Sequence, residues 1–355
     1  MPSSISMARS ASTIDIFIRD ADEPLLHGGD LAAARHLFPD APEPFLDLST
    51  GINPNSYPLP DLSADLFARL PQGEALAALT ATAASAYGAP STAHVVCAPG
   101  TQILLPLVAS LVGSGRAAIV SPTYGEHARA ATLAGHRVTE LADIDPAPNA
   151  DLVLVTNPNN PDGRLLDKND LRALAMQLRA HNGLLVVDEA FMDVGPPDAS
   201  MANEVGRGGV VVLRSFGKFF GLAGVRLGFA LAAPDVAARL RAQLGPWAVS
   251  GPALAIATKA LADRAWIEET RRRLAAEVAR LDKILAAANL DIIGGTNLCR
   301  LVRTRASELF DHLGRAGIFV RIFPENPSWV RFGQPAAEND WQRLELAMAA
   351  FANRE

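Results

Sequence analysis

The sequence predicts an α/β fold, with a mostly parallel central sheet in a large domain and a smaller α+β C-terminal domain. Three observations carry that expectation. Short apolar, β-branched runs alternate with helical patterns through the middle of the chain, as in strands joined by crossover helices. Most of those runs are nearly continuous in apolar residues, which suits strands covered on both faces. At 355 residues and 49% hydrophobic content, the chain exceeds what one core usually organises.

Taken in order, the first fifty residues hold Pro-rich stretches (Pro39, Pro42, Pro44) and are expected to pack as an arm over the rest. Strands are expected at 94–98, 117–121, 138–141, 152–156, 184–188, 210–215 and 226–230. Helical patterns lie between them at 102–112, 126–134 and 171–181. Past Pro252 the pattern changes. Residues 253–288 read as largely helical, with Glu268, Arg272, Glu277 and Arg280 recurring on one side. Strands follow at 298–302, 319–323 and 329–332, with helices near 307–315 and 339–351. The expected division is an arm over 1–50, a large domain over 51–248 and a small domain over 249–355. No internal repeat or low-complexity tract interrupts it.

Composition excludes several classes. The net charge of −6 and the lack of a basic stripe argue against a nucleic-acid partner. No apolar run approaches the length of a bilayer span. The start, Met1-Pro2-Ser3-Ser4, lacks the apolar core of a secretory signal, so a cytosolic compartment is expected. Two cysteines, Cys97 and Cys299, are too few for a disulfide framework or a thiolate metal site. The seven histidines show no metal-ligand spacing. Only four of the 32 basic residues are lysines: Lys168, Lys218, Lys259 and Lys283. GC-rich coding explains the scarcity, yet it leaves few suspects for any lysine chemistry.

Ligands of an open parallel sheet sit beyond the carboxyl ends of its strands, so the polar residues there are the place to look. After 152–155 comes Thr156-Asn157-Pro158-Asn159-Asn160-Pro161-Asp162-Gly163, a strong turn signal whose first amide, Asn157, is also able to bind a ligand oxygen. After 184–187 comes Asp188-Glu189-Ala190-Phe191. A carboxylate there is costly to bury alone. It caps the next segment, pairs with an arginine, or meets a metal or a protonated ring nitrogen. After 210–213 comes Arg214-Ser215-Phe216-Gly217-Lys218-Phe219-Phe220-Gly221, running on to Arg226. Glycines allow close approach, while aromatic surroundings and Arg226 favour a neutral, nucleophilic Lys218 amine. Lys168 reads as a loop residue, and Lys259 and Lys283 as helix residues. Pro99-Gly100-Thr101-Gln102 joins a strand to a helix, either as a cap or as a phosphate site. Tyr124, in Pro122-Thr123-Tyr124-Gly125, offers a face for a planar ring.

Together these residues suit one cofactor, pyridoxal 5′-phosphate. It needs an amine for its aldehyde, an acid for its ring nitrogen, a donor for its ring oxygen, phosphate donors and a stacking aromatic. An acid opposite the pyridine nitrogen keeps the ring protonated and electron-accepting.

At this point the sequence resembles the fold-type I pyridoxal-phosphate enzymes of the aspartate aminotransferase superfamily, over nearly the whole chain. The resemblance rests on Asn157-Pro158-Asn159-Asn160-Pro161, Asp188-Glu189-Ala190 and Ser215-Phe216-Gly217-Lys218 through Arg226, in that order. It implies that Lys218 bonds the cofactor aldehyde, Asp188 meets the pyridine nitrogen and Asn157 the ring oxygen. It also gives the phosphate to Gly100, Thr101, Gln102, Ser215 and Arg226, and the ring face to Tyr124. Tyr57 is implied to reach the phosphate of a neighbouring subunit, since such enzymes are usually homodimers with active sites at the subunit interface. Arg331 looks like the arginine that binds a substrate carboxylate.

Further segments, His27-Gly28-Gly29-Asp30, Asp47 through Pro54 and Gly245 through Pro252, are similar to the threonine-phosphate decarboxylase branch of cobalamin biosynthesis. This branch is related to histidinol-phosphate aminotransferases. It implies loss of CO₂ from L-threonine O-3-phosphate to give (R)-1-amino-2-propanol O-2-phosphate. The implied substrate contacts fall on His27, Gly28, Gly51, Asn157, Arg321 and Arg331. Asp30 stands where some relatives carry Asn and is expected to point away from a bound phosphate. Phe191 stands where histidinol-phosphate aminotransferases often carry Tyr, which disfavours the aminotransferase reading. Asp162 reads as a turn variant. The rivals are an aminotransferase acting on histidinol phosphate or a similar phosphorylated amine, and a non-catalytic effector-binding domain of the same fold. A Rossmann reading lacks the Gly-x-Gly-x-x-Gly turn.

Overall fold

A computed structural model describes residues 28–145 and 147–353, so the expected substrate contact at His27 lies outside the described residues. Two compact units emerge. The larger spans Gly51–Arg280 and Gly294–Arg300, and the smaller takes 28–50, Leu281–Ile293 and 301–353.

A seven-stranded sheet is the frame of the larger unit. Its order is Val95–Ala98, Gly228–Leu231, Val210–Ser215, Leu184–Asp188, Leu152–Thr156, Arg116–Val120 and Arg137–Leu141. The apolar runs are continuous because alternate side chains feed two cores. Val153, Val155, Leu185, Val187 and Val212 pack into one cluster, while Leu152, Leu154, Leu184, Val186 and Val211 pack into the other. All pairings from Val210–Ser215 outward to Arg137–Leu141 are parallel.

One strand departs from the expected pattern. Gly228–Leu231 is antiparallel to both of its neighbours. The chain from Ser215 makes only a single-turn helix, Phe216–Phe219, and a 3₁₀ turn, Ala223–Val225, before returning. A right-handed parallel crossover needs a longer connection, so the chain doubles back. Arg226, expected within a strand at 226–230, lies just before it in the left-handed region at φ 54°.

The helical stretch past Pro252 is two helices, Gly251–Ala262 and Arg264–Ala287. Asp263 interrupts it, and its Oδ1 accepts from the Trp266 N–H at 3.0 Å. The strand expected at 319–323 also divides. Ile318–Phe319 pairs in parallel with Leu46–Asp47, and Arg321–Ile322 pairs antiparallel with Trp329–Phe332. The latter pair is the outer half of a four-stranded sheet that continues through Cys299–Arg303 and Asp291–Thr296. Phe38, Phe310, Phe319, Phe332 and Trp341 centre the core of the smaller unit. Among the described residues, no helix is long and apolar enough to cross a membrane.

Candidate active site

The six mutually parallel strands of the larger sheet end on one edge, and the cofactor residues expected in the larger unit, Tyr57 apart, follow those ends. Register fixes their neighbourhood: Thr156 lies opposite Asp188, Asp188 opposite Leu213, and Ser215 and Ala98 both lie opposite Gly228.

Lys218 sits in the turn of helix Phe216–Phe219 and is partly buried. The Asn53–Tyr57 segment laces this loop down. The Asn53 N–H donates to the Lys218 carbonyl at 2.9 Å, and Asn53 Nδ2 to the Phe219 carbonyl at 2.8 Å. The Tyr57 N–H donates to the Phe220 carbonyl at 2.9 Å, and the Ser56 hydroxyl to the Gly221 carbonyl at 2.8 Å. Phe216, Phe219 and Phe220 are buried in the core below the loop. Phe216 stacks on Phe220 at 4.6 Å and Phe220 on Trp266 at 5.6 Å. These rings anchor the lysine loop from beneath.

Asp188 ends its strand with two partners. Oδ1 accepts from the Ala190 N–H at 3.0 Å, and Oδ2 lies 2.9 Å from Nε2 of His127, which is fully buried. His127 was not singled out from the sequence. A histidine four residues after Thr123 in a helical stretch gives no signal of its own, and only the fold sets it against Asp188.

Asn157 follows the adjacent strand and is fully buried. Its Oδ1 accepts from the Leu166 N–H at 2.9 Å, which turns the NH₂ end the other way. That Nδ2 is buried with no hydrogen-bond partner. A buried donor without an acceptor is costly, so its retention points to a ligand atom that accepts from it. The turn beyond is braced: Asn159 Nδ2 donates to the Pro122 carbonyl at 2.9 Å and to Asp162 Oδ1 at 2.8 Å. Asp162 Oδ1 also accepts from the Arg164 N–H at 3.0 Å, in keeping with a turn role.

Three elements meet at the start of helix Thr101–Ala109. Gly100 precedes it at φ 92°, a conformation that favours glycine. A Cβ on Gly100 would stand 2.9 Å from Nη2 of Arg226, so the missing side chain makes room for that guanidinium. Open N–H groups in the first turn of a helix together with an arginine suit a phosphate. Gln102 is engaged differently. Its Nε2 donates to Glu126 Oε2 at 2.7 Å, and its Oε1 accepts the Tyr124 hydroxyl at 3.1 Å. Tyr57 is buried, and its hydroxyl donates to Asp263 Oδ2 at 3.3 Å. Burial, then Asp263, raises the Tyr57 phenol above its usual range.

Gly51 packs on Phe191, where a Cβ would stand 2.9 Å from the ring Cζ. Two of the expected substrate residues of the smaller unit, Gly28 and Arg331, meet at Ser49. A Cβ on Gly28 would collide with the Ser49 carbonyl, and the Gly29 N–H donates to the Ser49 hydroxyl at 2.7 Å. Nη2 of the buried Arg331 donates to that same carbonyl at 2.8 Å. Arg321 lies directly opposite Arg331 in register, so both side chains leave one face of the strand pair. Asp30 caps helix Leu31–Leu37, accepting from the Ala33 N–H at 2.9 Å.

The residues present fit pyridoxal phosphate. The orphaned Asn157 amide offers a donor that suits its ring oxygen and the glycine cradle under Arg226 suits its phosphate, while Asp188 ends one strand and Lys218 follows the end of the next. Among the described residues, no cluster of His, Cys, Asp and Glu is arranged to hold a metal ion.

The chain is 41% identical to a threonine-phosphate decarboxylase of Pseudomonas aeruginosa, over 92% of this chain and 98% of that one. It is 43% identical to a threonine-phosphate decarboxylase of a Sinorhizobium species, with the same coverage. Its fold is also that of a histidinol-phosphate aminotransferase from Sinorhizobium meliloti solved in complex with pyridoxal-5′-phosphate. The TM-score is 0.68 at 24% identity, over 80% of this chain and 88% of that one. The aminotransferase class I and II family matches residues 55–349, and the chain belongs to it.

Proposed function

We propose that this chain is a pyridoxal-phosphate-dependent carboxy-lyase of cobalamin biosynthesis. It would convert L-threonine O-3-phosphate to (R)-1-amino-2-propanol O-2-phosphate and CO₂. The observation that carries the choice of substrate is the Arg321–Arg331 pair. Register puts both arginines on one face of the strand pair, a setting that suits a ligand with two anionic groups. L-threonine O-3-phosphate brings two anionic groups, a phosphate and a carboxylate. Histidinol phosphate has a phosphate and no carboxylate, which makes the aminotransferase reading second.

When bound, pyridoxal phosphate supplies a protonated pyridine ring that accepts the electron pair left at Cα as CO₂ departs. The chain's own residues do the rest. Asp188, steadied by His127 and the Ala190 N–H, holds the proton at the ring nitrogen. Asn157 Nδ2 donates to the ring oxygen, and Phe191 adds no hydroxyl beside it. Gly100, Thr101, Ser215 and Arg226 bind the phosphate, and Tyr124 covers the ring. Lys218 would hold the group through its aldehyde, and its amine would supply a proton to the substrate's Cα. His27, Gly28, Gly51, Arg321 and Arg331 bind the substrate's anionic groups. Their grip would orient the substrate's Cα bonds, and so decide whether CO₂ or a proton is lost.

A homodimer completes the proposal, with Tyr57 serving the neighbouring subunit. Leu59, Phe67, Leu70 and Trp247 support it as exposed large apolar side chains on the larger unit. The cytoplasm is the proposed compartment, since both cysteines are buried free thiols that need no oxidising environment.

The test is to incubate purified holoenzyme with L-threonine O-3-phosphate and no keto acid. Release of CO₂ with aminopropanol phosphate is expected. Turnover that requires 2-oxoglutarate would replace the decarboxylase with the aminotransferase.

A further inference from the structure

Gln102 occupies the second position of helix Thr101–Ala109, beside the proposed phosphate site, yet both ends of its amide are engaged by other side chains. Its Nε2 donates to Oε2 of Glu126 at 2.7 Å, and Glu126 is buried at 4% exposure. The Glu126 oxygen accepts from the NH₂ end of the amide, which leaves Oε1 facing Tyr124. The Tyr124 hydroxyl then donates to Oε1 at 3.1 Å. On its other side the Tyr124 ring meets His127 edge to face, with centroids 5.5 Å apart at 87°. His127 is itself held by Asp188 at 2.9 Å. A continuous frame therefore runs Glu126, Gln102, Tyr124, His127, Asp188. A tyrosine fixed only at Cβ sweeps its ring about two torsions, and a tether at the hydroxyl removes that freedom.

We propose that Gln102 is a positioning residue. Through the Tyr124 hydroxyl it sets the plane of the ring that covers the cofactor pyridine, and Glu126 sets the direction of the Gln102 amide. This rests on the proposed binding of pyridoxal phosphate at this site. It gives the Gln102 side chain a task other than the phosphate contact that the resemblance implies for Gln102.

The experiment compares wild type, Gln102→Leu, Tyr124→Phe and the double variant as apoproteins. Affinity is measured for pyridoxal phosphate and for pyridoxal, which lacks the phosphate. Each single variant should weaken both compounds by a similar factor, roughly three- to tenfold for a disordered aromatic contact. The double variant should be no worse than either single, because both break one tether. A Gln102→Leu loss confined to pyridoxal phosphate would make Gln102 a phosphate ligand and overturn the proposal, as would additive losses. A second readout needs no cofactor. With 3-fluorotyrosine at the three tyrosines, the Tyr124 resonance should move in apo Gln102→Leu and in Glu126→Gln. An unmoved resonance would overturn the tether. Wild-type protein that binds neither compound would sink the cofactor reading, while the fluorine resonance still tests the tether.

Discussion

Asp188 and Glu189 are neighbours in the chain that the strand points to opposite faces, and they acquire opposite tasks. Asp188 reaches the site edge, against His127. Glu189 turns into the core, where it accepts from the Ser200 hydroxyl at 2.6 Å and from Nη1 of Arg214 at 3.1 Å. Burial raises the Glu189 carboxyl above its ordinary value, opposed by Arg214. Both fates were weighed from the sequence, where the carboxylate either paired with an arginine or met a ring nitrogen. The phase of the strand at its last residue gives the arginine to Glu189. The thiol of Cys97 shows burial outweighing the opposing Thr80 hydroxyl and Arg241 charge. Burial pushes it from an ordinary 9.0 to about 11. The folded state keeps a proton there that the unfolded chain releases, so stability holds below pH 9 and declines as pH rises toward 11. The loss is on the order of 2–3 kcal/mol at most. Urea denaturation should show a steeper decline across pH 9–11 in wild type than in Cys97→Ala, which keeps only the share of groups such as Tyr57 and Tyr87. Equal slopes across pH 9–11 would contradict it.

At the scale of elements, Arg214 ties the end of strand Val210–Ser215 to the segment after Asp188. Nη2 donates to Asp193 Oδ1 at 2.6 Å, and the guanidinium lies 4.4 Å from the Tyr87 ring centroid. Burial acts to lower the Arg214 guanidinium, but Asp193 and Glu189 hold it above its usual value. Arg214→Met strands two buried acids, and urea denaturation should record a loss of about 3–5 kcal/mol. A loss within about 0.5 kcal/mol, typical of surface substitutions, would contradict that role. The parallel strands were legible because two-sided burial writes continuous apolar runs. Strand direction was not, since Gly228–Leu231 is buried on both faces like the parallel strands and only the short return from Ser215 reverses it. Asp291–Thr296 escaped notice because Gly294 and Gly295 dilute its pattern. Val320 hid the division at 319–323, where an unbroken apolar run serves two separate pairings. The Asn53–Tyr57 segment was legible as a motif but not as the lacing of the lysine loop, which depends on backbone contacts across the fold.

At the scale of the whole molecule, the main-sheet site residues were legible because each follows a strand, and the fold need only bring parallel strand ends to one edge. His127 and Glu126 were not, because their meaning comes from neighbours distant in sequence. Assembly also belongs to this scale. Leu59, Phe67 and Leu70 are 61%, 68% and 60% exposed, and a proposed second copy of the chain would cover them. Light scattering should give twice the 37.5 kDa chain mass, with Phe67→Glu shifting the protein toward single chains. Wild-type protein with the mass of one chain would contradict the dimer. The central claim is that the chain's chemistry is built around Lys218. Borohydride reduction of the holoenzyme followed by peptide mapping tests it most directly. The cofactor mass should appear on the peptide carrying Lys218, whereas labelling at Lys168, Lys259 or Lys283 would contradict the account.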